Sequence, residues 1–542
     1  MRINKIYIEN YKRYKGKFEL TLNPEINILV GNNEAGKSTI LEAIHLVLTG
    51  LLNGRYLRTE LTQYLFNNEI EAEYINSLND PNISTLPPPH ILIEAYFETE
   101  QYPLLEGNGN SDRRKACGVL LKIEFDDEYQ AEYDELIQQS VRSIPIEYYK
   151  VTWKSFARDS VTGRSIPMKS VIIDSSGNKY TNGSDIYISR IIRGELEDTD
   201  KVAVSQAYRK MKESFAEDQS IITVNSKIND VITLSDSKTV SVSVDLATKD
   251  AWEAGLTTYL DNVPFQHIGR GEQSIIKTKL ALGSTSSIKA GAILIEEPEN
   301  HLGHSKLNEF IKSIRDNCDG KQIIISTHSS FVANKLGLKY LLLLDNQKIA
   351  RFNELSQETQ DFFDKLPGYQ TLRLLLCHKA ILVEGDSDEL IFQKAFMDTH
   401  NDVLPIEKLI DVISVKLTFK RFLQIAKLIE KPVAVVTDND GNYAQTIEKK
   451  YEEFDGIGKI RVFADDNNEL NTLEPQFVDA NSEQLEKLCE VIDISYSAYN
   501  TKEKIIEYME SNKTKWALAV FKSIEKLNYP SYINNAVKWC DE

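Results

Sequence analysis

Ile3 to Tyr11 alternates apolar and polar positions, Ile26-Asn27-Ile28-Leu29-Val30 is a short buried-type run, and Ser38 to Leu48 has helical spacing. The first forty residues therefore predict strand, turn, strand, loop, helix. Residues from about 90 to 175 are rich in strand-like segments, among them Ile91 to Phe97 and Val119 to Phe125. From about 183 to 232 the pattern turns helical, with Ile191-Ile192, Val202-Ala203-Val204, Tyr208 and Met211 as apolar positions. This stretch interrupts the sheet and is a candidate inserted dimerisation element, although it holds no heptad long enough for a coiled-coil arm. Strand character returns at Val240 to Val244. A second α/β block begins near Leu376, after the polar stretch Asn353 to Asp361 and the turn Pro367-Gly368. The last sixty or so residues read as helical around Trp516 to Phe521. No internal repeat or low-complexity tract stands out.

Length and composition narrow the class. With 542 residues, 42% hydrophobic and 27% charged, the chain has the balance of an ordinary globular protein of several domains. No apolar run reaches the eighteen residues of a membrane span, and Met1 to Lys5 opens straight into a strand pattern, so neither anchor nor leader is expected. Cys117, Cys318, Cys377, Cys489 and Cys540 form no CxxC pair. That pattern fits reduced thiols in a cytoplasm and argues against a zinc site or a disulfide framework. The net charge of −18 is unfavourable for phosphate binding. Local patches and metal ions can carry such an attraction, and Lys416 to Lys427 is one basic, helix-like patch. Whether it is a solvated crossover face or a DNA contact stays open.

Gly31-Asn32-Asn33-Glu34-Ala35-Gly36-Lys37-Ser38 matches G-x-x-x-x-G-K-[ST] between a strand and a helix. In such a loop the backbone N–H groups from Asn32 to Thr39 wrap ATP phosphates, Lys37 reaches the β/γ oxygens, and Ser38 ligates Mg²⁺. Ala292-Ile293-Leu294-Ile295-Glu296-Glu297 is an apolar strand ending in two acids. Glu296 is placed to hold Mg²⁺ through water and Glu297 to orient the attacking water. A further strand, Ile323-Ile324-Ile325-Ser326-Thr327-His328, would deliver His328 to the γ-phosphate side. Ile268-Gly269-Arg270-Gly271-Glu272 opens a helix and reads either as a signature loop, with Gly269 and Gly271 facing a partner's nucleotide, or as an ordinary turn.

The acidic motifs lie further on. Ala380 to Val383 runs into Glu384-Gly385-Asp386-Ser387-Asp388-Glu389, and Val433 to Val436 runs into Asp438-Asn439-Asp440. Two parallel strands would bring Glu384, Asp438 and Asp440 to one carboxyl-end crevice. Oxygen-only clusters suit Mg²⁺ or Mn²⁺, and paired ions can clamp the attacking and leaving oxygens of a phosphodiester. A structural calcium site is the competing reading.

With these motifs in this order, the chain resembles the OLD-family nucleases, an ABC-type ATPase fused to a TOPRIM domain. Asn10-Tyr11-Lys12, the phosphate loop, Glu296 to Leu302, Ser326-Thr327-His328-Ser329 and the paired acidic motifs carry the resemblance over nearly the full length. It implies an α/β fold with an ABC-type P-loop ATPase head and a helical dimerisation insert, followed by a TOPRIM α/β domain and a C-terminal helical segment. The corresponding divisions are ATPase over 1–182 and 233–350, insert 183–232, linker 351–375, TOPRIM 376–475 and helical extension 476–542. It also implies a homodimer or larger assembly, DNA cleavage with Mg²⁺ or Mn²⁺, and often a role in defence against phage with a separate partner. Carried over by motif, Glu384 resembles the glutamate that binds metal and assists proton transfer, and Asp438 and Asp440 the metal-binding pair. Asp388 or Glu389 resembles a second-metal acid, Glu474 a further ligand, and Lys513 or Lys515 the lysine that steadies the phosphorane charge.

Two other classes compete with the metal-dependent endonuclease. One is a non-nucleolytic, SMC-like DNA-binding ATPase, against which the missing coiled-coil arms count. The other is a primase or topoisomerase, which would need a zinc module or a strand-passage tyrosine domain that the chain does not display.

Overall fold

A computed structural model describes residues 1–80, 82–98, 102–138, 141–163, 165–174, 180–181, 184–185, 197–231, 242, 258–283, 291–300, 302–316, 320–345 and 347–542. Most of the strand expected at Val240 to Val244, together with Ile191, Ile192, His301 and Cys318, lies outside the described residues. The chain forms two compact units, one of Met1–Asn27 with Gly36–Thr327 and the other of Ile28–Ala35 with His328–Glu542.

In the first unit the alternating N-terminal segments build an antiparallel sheet. Its order is Lys17–Thr21, Arg2–Glu9, Ile91–Glu98, Ala116–Phe125, with Glu106–Gly107 and Tyr149–Ser155 also on the last of these. The continuous apolar runs instead form a parallel set, Ser170–Asp174 beside Ala292–Glu296 beside Gln322–Ser326. Strands covered on both faces need no polar alternation, which is why these segments read as unbroken runs. The helix Lys37–Thr49 buries Ile40, Leu41, Ile44, Val47 and Leu48. It is locked to the antiparallel sheet where Trp153 Nε1 donates to the Val47 carbonyl at 3.0 Å. Buried Gln322 ties the two strand sets together, accepting from the Ile3 nitrogen and donating to the Ile3 carbonyl, each at 2.8 Å.

The segment expected to be helical from 183 begins instead with a short hairpin, Tyr180–Thr181 against Ser184–Asp185. Its helices are Asp198–Ala216 and Gln219–Val231. Val202, Met211, Phe215 and Ile222 on them are exposed.

In the second unit, Ile28 to Gly31 pairs in parallel with Leu341–Asp345, which turns back on Lys348–Arg351. Residues 351–375, expected as a linker, are packed structure. Helices Gln357–Lys365 and Thr371–Leu376 occupy them, and buried Phe363 stacks edge-on against Phe422 at 5.4 Å between ring centroids. Local polarity misled here because Asn353 to Asp361 spends its polar groups on capping and on Gln424, which Thr359 contacts at 2.5 Å. A four-stranded parallel sheet follows, ordered Ile410–Ser414, Lys379–Val383, Val433–Val436, Ile460–Phe463. The C-terminal helices Lys502–Ser511, Lys513–Lys522 and Ser531–Cys540 complete its core around fully buried Trp516.

No helix among the described residues is long and apolar enough to cross a membrane. The described cysteines, Cys117, Cys377, Cys489 and Cys540, form no disulfide.

Candidate functional site

The phosphate-loop helix starts at Gly36, whose φ of 92° lies in the left-handed region. A Cβ there would stand 2.5 Å from the Tyr14 hydroxyl, so backbone angle and space both demand glycine. Lys37 is buried; burial lowers its pKa, and the carboxylates of Glu297, Glu296 and Glu299 pull it back up. The Ser38 hydroxyl donates to the Glu296 carboxylate. Two oxygen donors of the kind Mg²⁺ uses beside a nucleotide thus meet from segments more than 250 residues apart. Glu297 sits at a φ of 43°, its nitrogen donating to the Ser326 carbonyl at 2.9 Å and its carboxylate accepting from Asn300 Nδ2 at 2.6 Å. Thr327 Oγ1 donates to Glu299 at 2.8 Å. The Asn300 contact closes a local turn, whereas Thr327 meets Glu299 only because the paired strand ends bring them together.

Gly269 and Gly271 flank the start of the helix Arg270–Gly283, and open space surrounds the position of a Cβ on Gly269. Asn32, Asn33, Glu34, Ala35 and His328 belong to the second unit. Within the loop the Ala35 nitrogen donates to the Asn32 carbonyl at 3.1 Å, and Glu34 has a φ of 68°.

The acidic motifs leave adjacent parallel strands, with Val383 paired to Val436. Glu384 follows the first strand, and its carbonyl is held by the Lys416 nitrogen at 3.1 Å and the Ser414 hydroxyl at 3.1 Å. Asp388, one turn into the helix Asp386–Thr399, accepts from the Gly385 nitrogen at 3.0 Å. Glu389 accepts instead from Gln393 at 3.2 Å, and the cation beside it is Arg373. Asp388, not Glu389, is therefore the acid coupled to Glu384.

The second motif is shaped by its middle residue. Asn439 is fully buried and donates to the carbonyls of Asp465, Asn467 and Leu470, while its own side-chain oxygen accepts from the Gly441 nitrogen at 2.8 Å. Asp440 takes a φ of 50° and is exposed. Glu474, on the first turn of the helix Leu473–Ala480, is buried.

Burial, then Glu384 beside it, pushes the Asp388 carboxyl up to about 7. Burial, then Asp388, Glu384 and Glu474, pushes Asp438 up to about 8. Glu384 is raised by burial and by Asp440 and Glu474, against the pull of Lys450 and Lys513. Gathered carboxylates that resist ionisation are what a cation would relieve. One Asp438 oxygen is also buried with no hydrogen-bond partner. These oxygen donors suit a hard divalent ion. Among the described residues, however, no group of three or more His, Cys, Asp and Glu side chains is already poised to hold one ion.

The charge of Lys513 lowers the Glu384 pKa, whereas Lys515 lies 6.0 Å from the Tyr508 ring centre. Lys450 is a cation that sequence reading missed; it follows the π-helical turn Ala444–Lys449, a geometry with no local sequence signal. The basic patch is largely committed within the fold. Arg421 pairs with Glu358 at 2.6 Å and covers Phe362, and Lys427 reaches the Glu453 carbonyl at 3.4 Å.

Residues 1–333 match the family model described as AAA ATPase domain, and residues 375–440 match the one described as the TOPRIM domain of overcoming lysogenization defect protein-like proteins. Among curated proteins, the chain is 30% identical over 77 residues to the DNA replication and repair protein RecF of Protochlamydia amoebophila, covering 14% of this chain and 20% of that one. It is 42% identical over 45 residues to RecF of Staphylococcus epidermidis, covering 8% and 12%. The chain thus spans a fifth or less of the length of these relatives. Among solved structures, it is similar to the SMC head domain of Thermotoga maritima (14% identity, TM-score 0.31, covering 65% of this chain and 99% of that one). It is also similar to the C-terminal region of the Xanthomonas campestris pv. campestris OLD protein (19% identity, TM-score 0.24, covering 30% and 92%).

Proposed function

We propose that this chain, which belongs to the AAA ATPase domain family and joins its ATPase to an OLD-like TOPRIM domain, is an ATP-controlled, divalent-metal-dependent DNA endonuclease. The observation that carries this reading is the pairing of two parallel strands, Val383 beside Val436, whose ends deliver Glu384 and Asp438 next to Asp388 and buried Glu474. Glu384, Asp388, Asp438, Asp440 and Glu474 would hold Mg²⁺ or Mn²⁺, which when bound polarises the phosphodiester and lowers the pKa of water. Glu384, its pKa raised by burial and then by Asp440, can take a proton from a water at the site. Lys513 can set its positive charge against the developing phosphorane. Asn439 holds the loop between Asp438 and Asp440 rigid, so that both acids keep their positions through the reaction.

At the nucleotide site, Lys37 would carry the β/γ-phosphate oxygens, Ser38 and Glu296 the Mg²⁺, and Glu297 the attacking water. The Gly269–Gly271 turn of a second copy of the chain would complete that site. The exposed apolar residues of the helices Asp198–Ala216 and Gln219–Val231 support their use as the contact of a homodimer. Defence against phage, with a separate partner and in the cytoplasm, is the setting in which such an enzyme fits.

Plasmid nicking with Mg²⁺ or Mn²⁺, with and without ATP, tests the reading on wild type, Glu384→Ala and Lys37→Ala. Metal-dependent nicking should vanish in Glu384→Ala, and Lys37→Ala should remove the response to ATP. Nicking by Glu384→Ala at the wild-type rate would sink the nuclease. A DNA-stimulated ATPase without cleavage is the second reading. It predicts no nicking under any metal, with ATP turnover rising on added DNA.

A further inference from the structure

Directly opposed residues of a sheet share a face. By that rule Lys17, Glu9, Leu92 and Lys122 form one row across the antiparallel sheet, and Tyr7, Glu94 and Leu120 the next. These rows floor a cavity of about 540 Å³, walled by the loop that carries Ser111 and Arg113 and by Arg158. A volume of this order holds a small ligand of nucleotide size.

Its charges are unbalanced in an unusual way for a chain of net charge −18. Lys122 is committed to Glu124 at 2.5 Å. Lys17, Arg113 and Arg158 line the same cavity, and no carboxylate among the described residues pairs with any of the three. Arg158 only donates to the Asn108 side chain at 3.1 Å. Unpaired cations gathered at one concavity leave room for an oxyanion, and arginines suit phosphate through their forked donors.

The second row of the floor has different chemistry. Glu94 is 1% exposed and accepts from the Tyr96 hydroxyl at 2.7 Å and the Ser111 nitrogen at 2.9 Å. A carboxylate has about four acceptor positions, so these bonds leave capacity for a further donor. Leu92 and Leu120 add apolar surface to the same cavity. The cavity therefore combines cations, apolar surface and a buried acceptor.

We propose that this cavity is a second nucleotide-binding site, separate from the phosphate loop. It takes a nucleotide whose phosphate lies against Lys17, Arg113 and Arg158 and whose base presents amino donors to Glu94. The nucleotide is either free or part of a single strand, and the chemistry recognised is the same. The proposal does not depend on the nuclease reading, because no residue in it belongs to either site described above.

The test uses the full chain carrying Lys37→Ala, so that binding at the phosphate loop does not mask the signal. Fluorescently labelled GMP and AMP and a short single-stranded oligonucleotide are titrated against this protein. The same titrations follow after adding Arg113→Glu and Arg158→Glu together, and separately Glu94→Gln. Losing two charge-assisted phosphate contacts should weaken binding at least about tenfold. Melting temperature and the ATP turnover of Arg113→Glu/Arg158→Glu in the otherwise wild-type chain should stay unchanged, since both side chains are exposed. Mononucleotide binding that is sensitive to the arginines assigns a free ligand, and arginine-sensitive binding of the oligonucleotide alone assigns a strand. No binding, binding indifferent to the arginines, or equal displacement by inorganic phosphate with no effect of Glu94→Gln would overturn the proposal.

Discussion

Asp388 accepts a hydrogen bond from the Gly385 nitrogen at 3.0 Å, one turn from Glu384. That bond fixes which of two neighbouring acids in Asp388-Glu389 turns toward the acidic crevice. Asp388→Ala should weaken Mg²⁺ binding at least about tenfold, as loss of a metal-supporting group does. Glu389→Ala should leave metal binding near wild type, because that side chain is directed to Gln393 and Arg373. Isothermal titration with Mn²⁺ on both variants checks this, and equal losses would contradict the assignment.

Metal should matter more to stability at alkaline than at acid pH. An Asp ordinarily titrates near ~3.9, whereas Asp388 is raised to about 7 and Asp438 to about 8. The unfolded chain therefore releases these protons first, and the folded state holds more of them across the interval. Their contribution favours the fold below the unfolded values and is lost as pH rises from there through about 7 and 8. Mg²⁺ favours the ionised acids, so its increment in Tm should be larger at alkaline pH than at mildly acidic pH. Thermal melts with Mg²⁺ and with a chelator measure it, and an increment that shrinks toward alkaline pH would refute the coupling.

Asn439→Ala should damage the acidic site and spare ATP turnover. Three carbonyls, those of Asp465, Asn467 and Leu470, lose their donor at once. Leaving buried acceptors unsatisfied costs about 1–3 kcal/mol. The expected result is a lower Tm and reduced nicking with ATP turnover within about twofold of wild type. Turnover falling in parallel with nicking would show that the change is not confined to the acidic loop.

Gly36→Ala should abolish ATP binding while leaving DNA-independent folding of the acidic sheet intact. A methyl group would meet the Tyr14 hydroxyl at 2.5 Å, and the backbone would still need a φ of 92°. Such left-handed angles cost a residue with a Cβ roughly 1–2 kcal/mol before any clash is counted. Pairing the change with Tyr14→Ala relieves the clash but not the angle, so partial recovery of ATP binding is the expected outcome. Full recovery in the double variant would mean that the angle is unimportant.

Much of the chemistry is legible along the chain because the motifs are local. A strand, a glycine-bearing loop and a helix follow one another at Val30, Gly36 and Lys37, and each acidic motif ends its own apolar run. The neighbours of the motifs are another matter. Residues 351–375 look like a linker by polarity, yet Thr371 and Leu372 are buried and Asn334 reaches the Tyr369 carbonyl at 2.8 Å. Lys450 has no motif to announce it; it follows a π-helical turn and its charge lowers the Glu384 pKa.

The sequence by itself determined the order of the elements, the phosphate loop and the two carboxylate-bearing strand ends, since these depend on periodicity and on neighbours a few positions apart. Only the tertiary structure set Asp388 beside Glu384 and Glu389 beside Gln393 and Arg373. It alone gathered Lys17, Arg113 and Arg158 around one cavity. Those outcomes depend on side-chain direction and on which distant segments share a face. Burial and Coulomb energies fix both, and they exist only once the chain has packed.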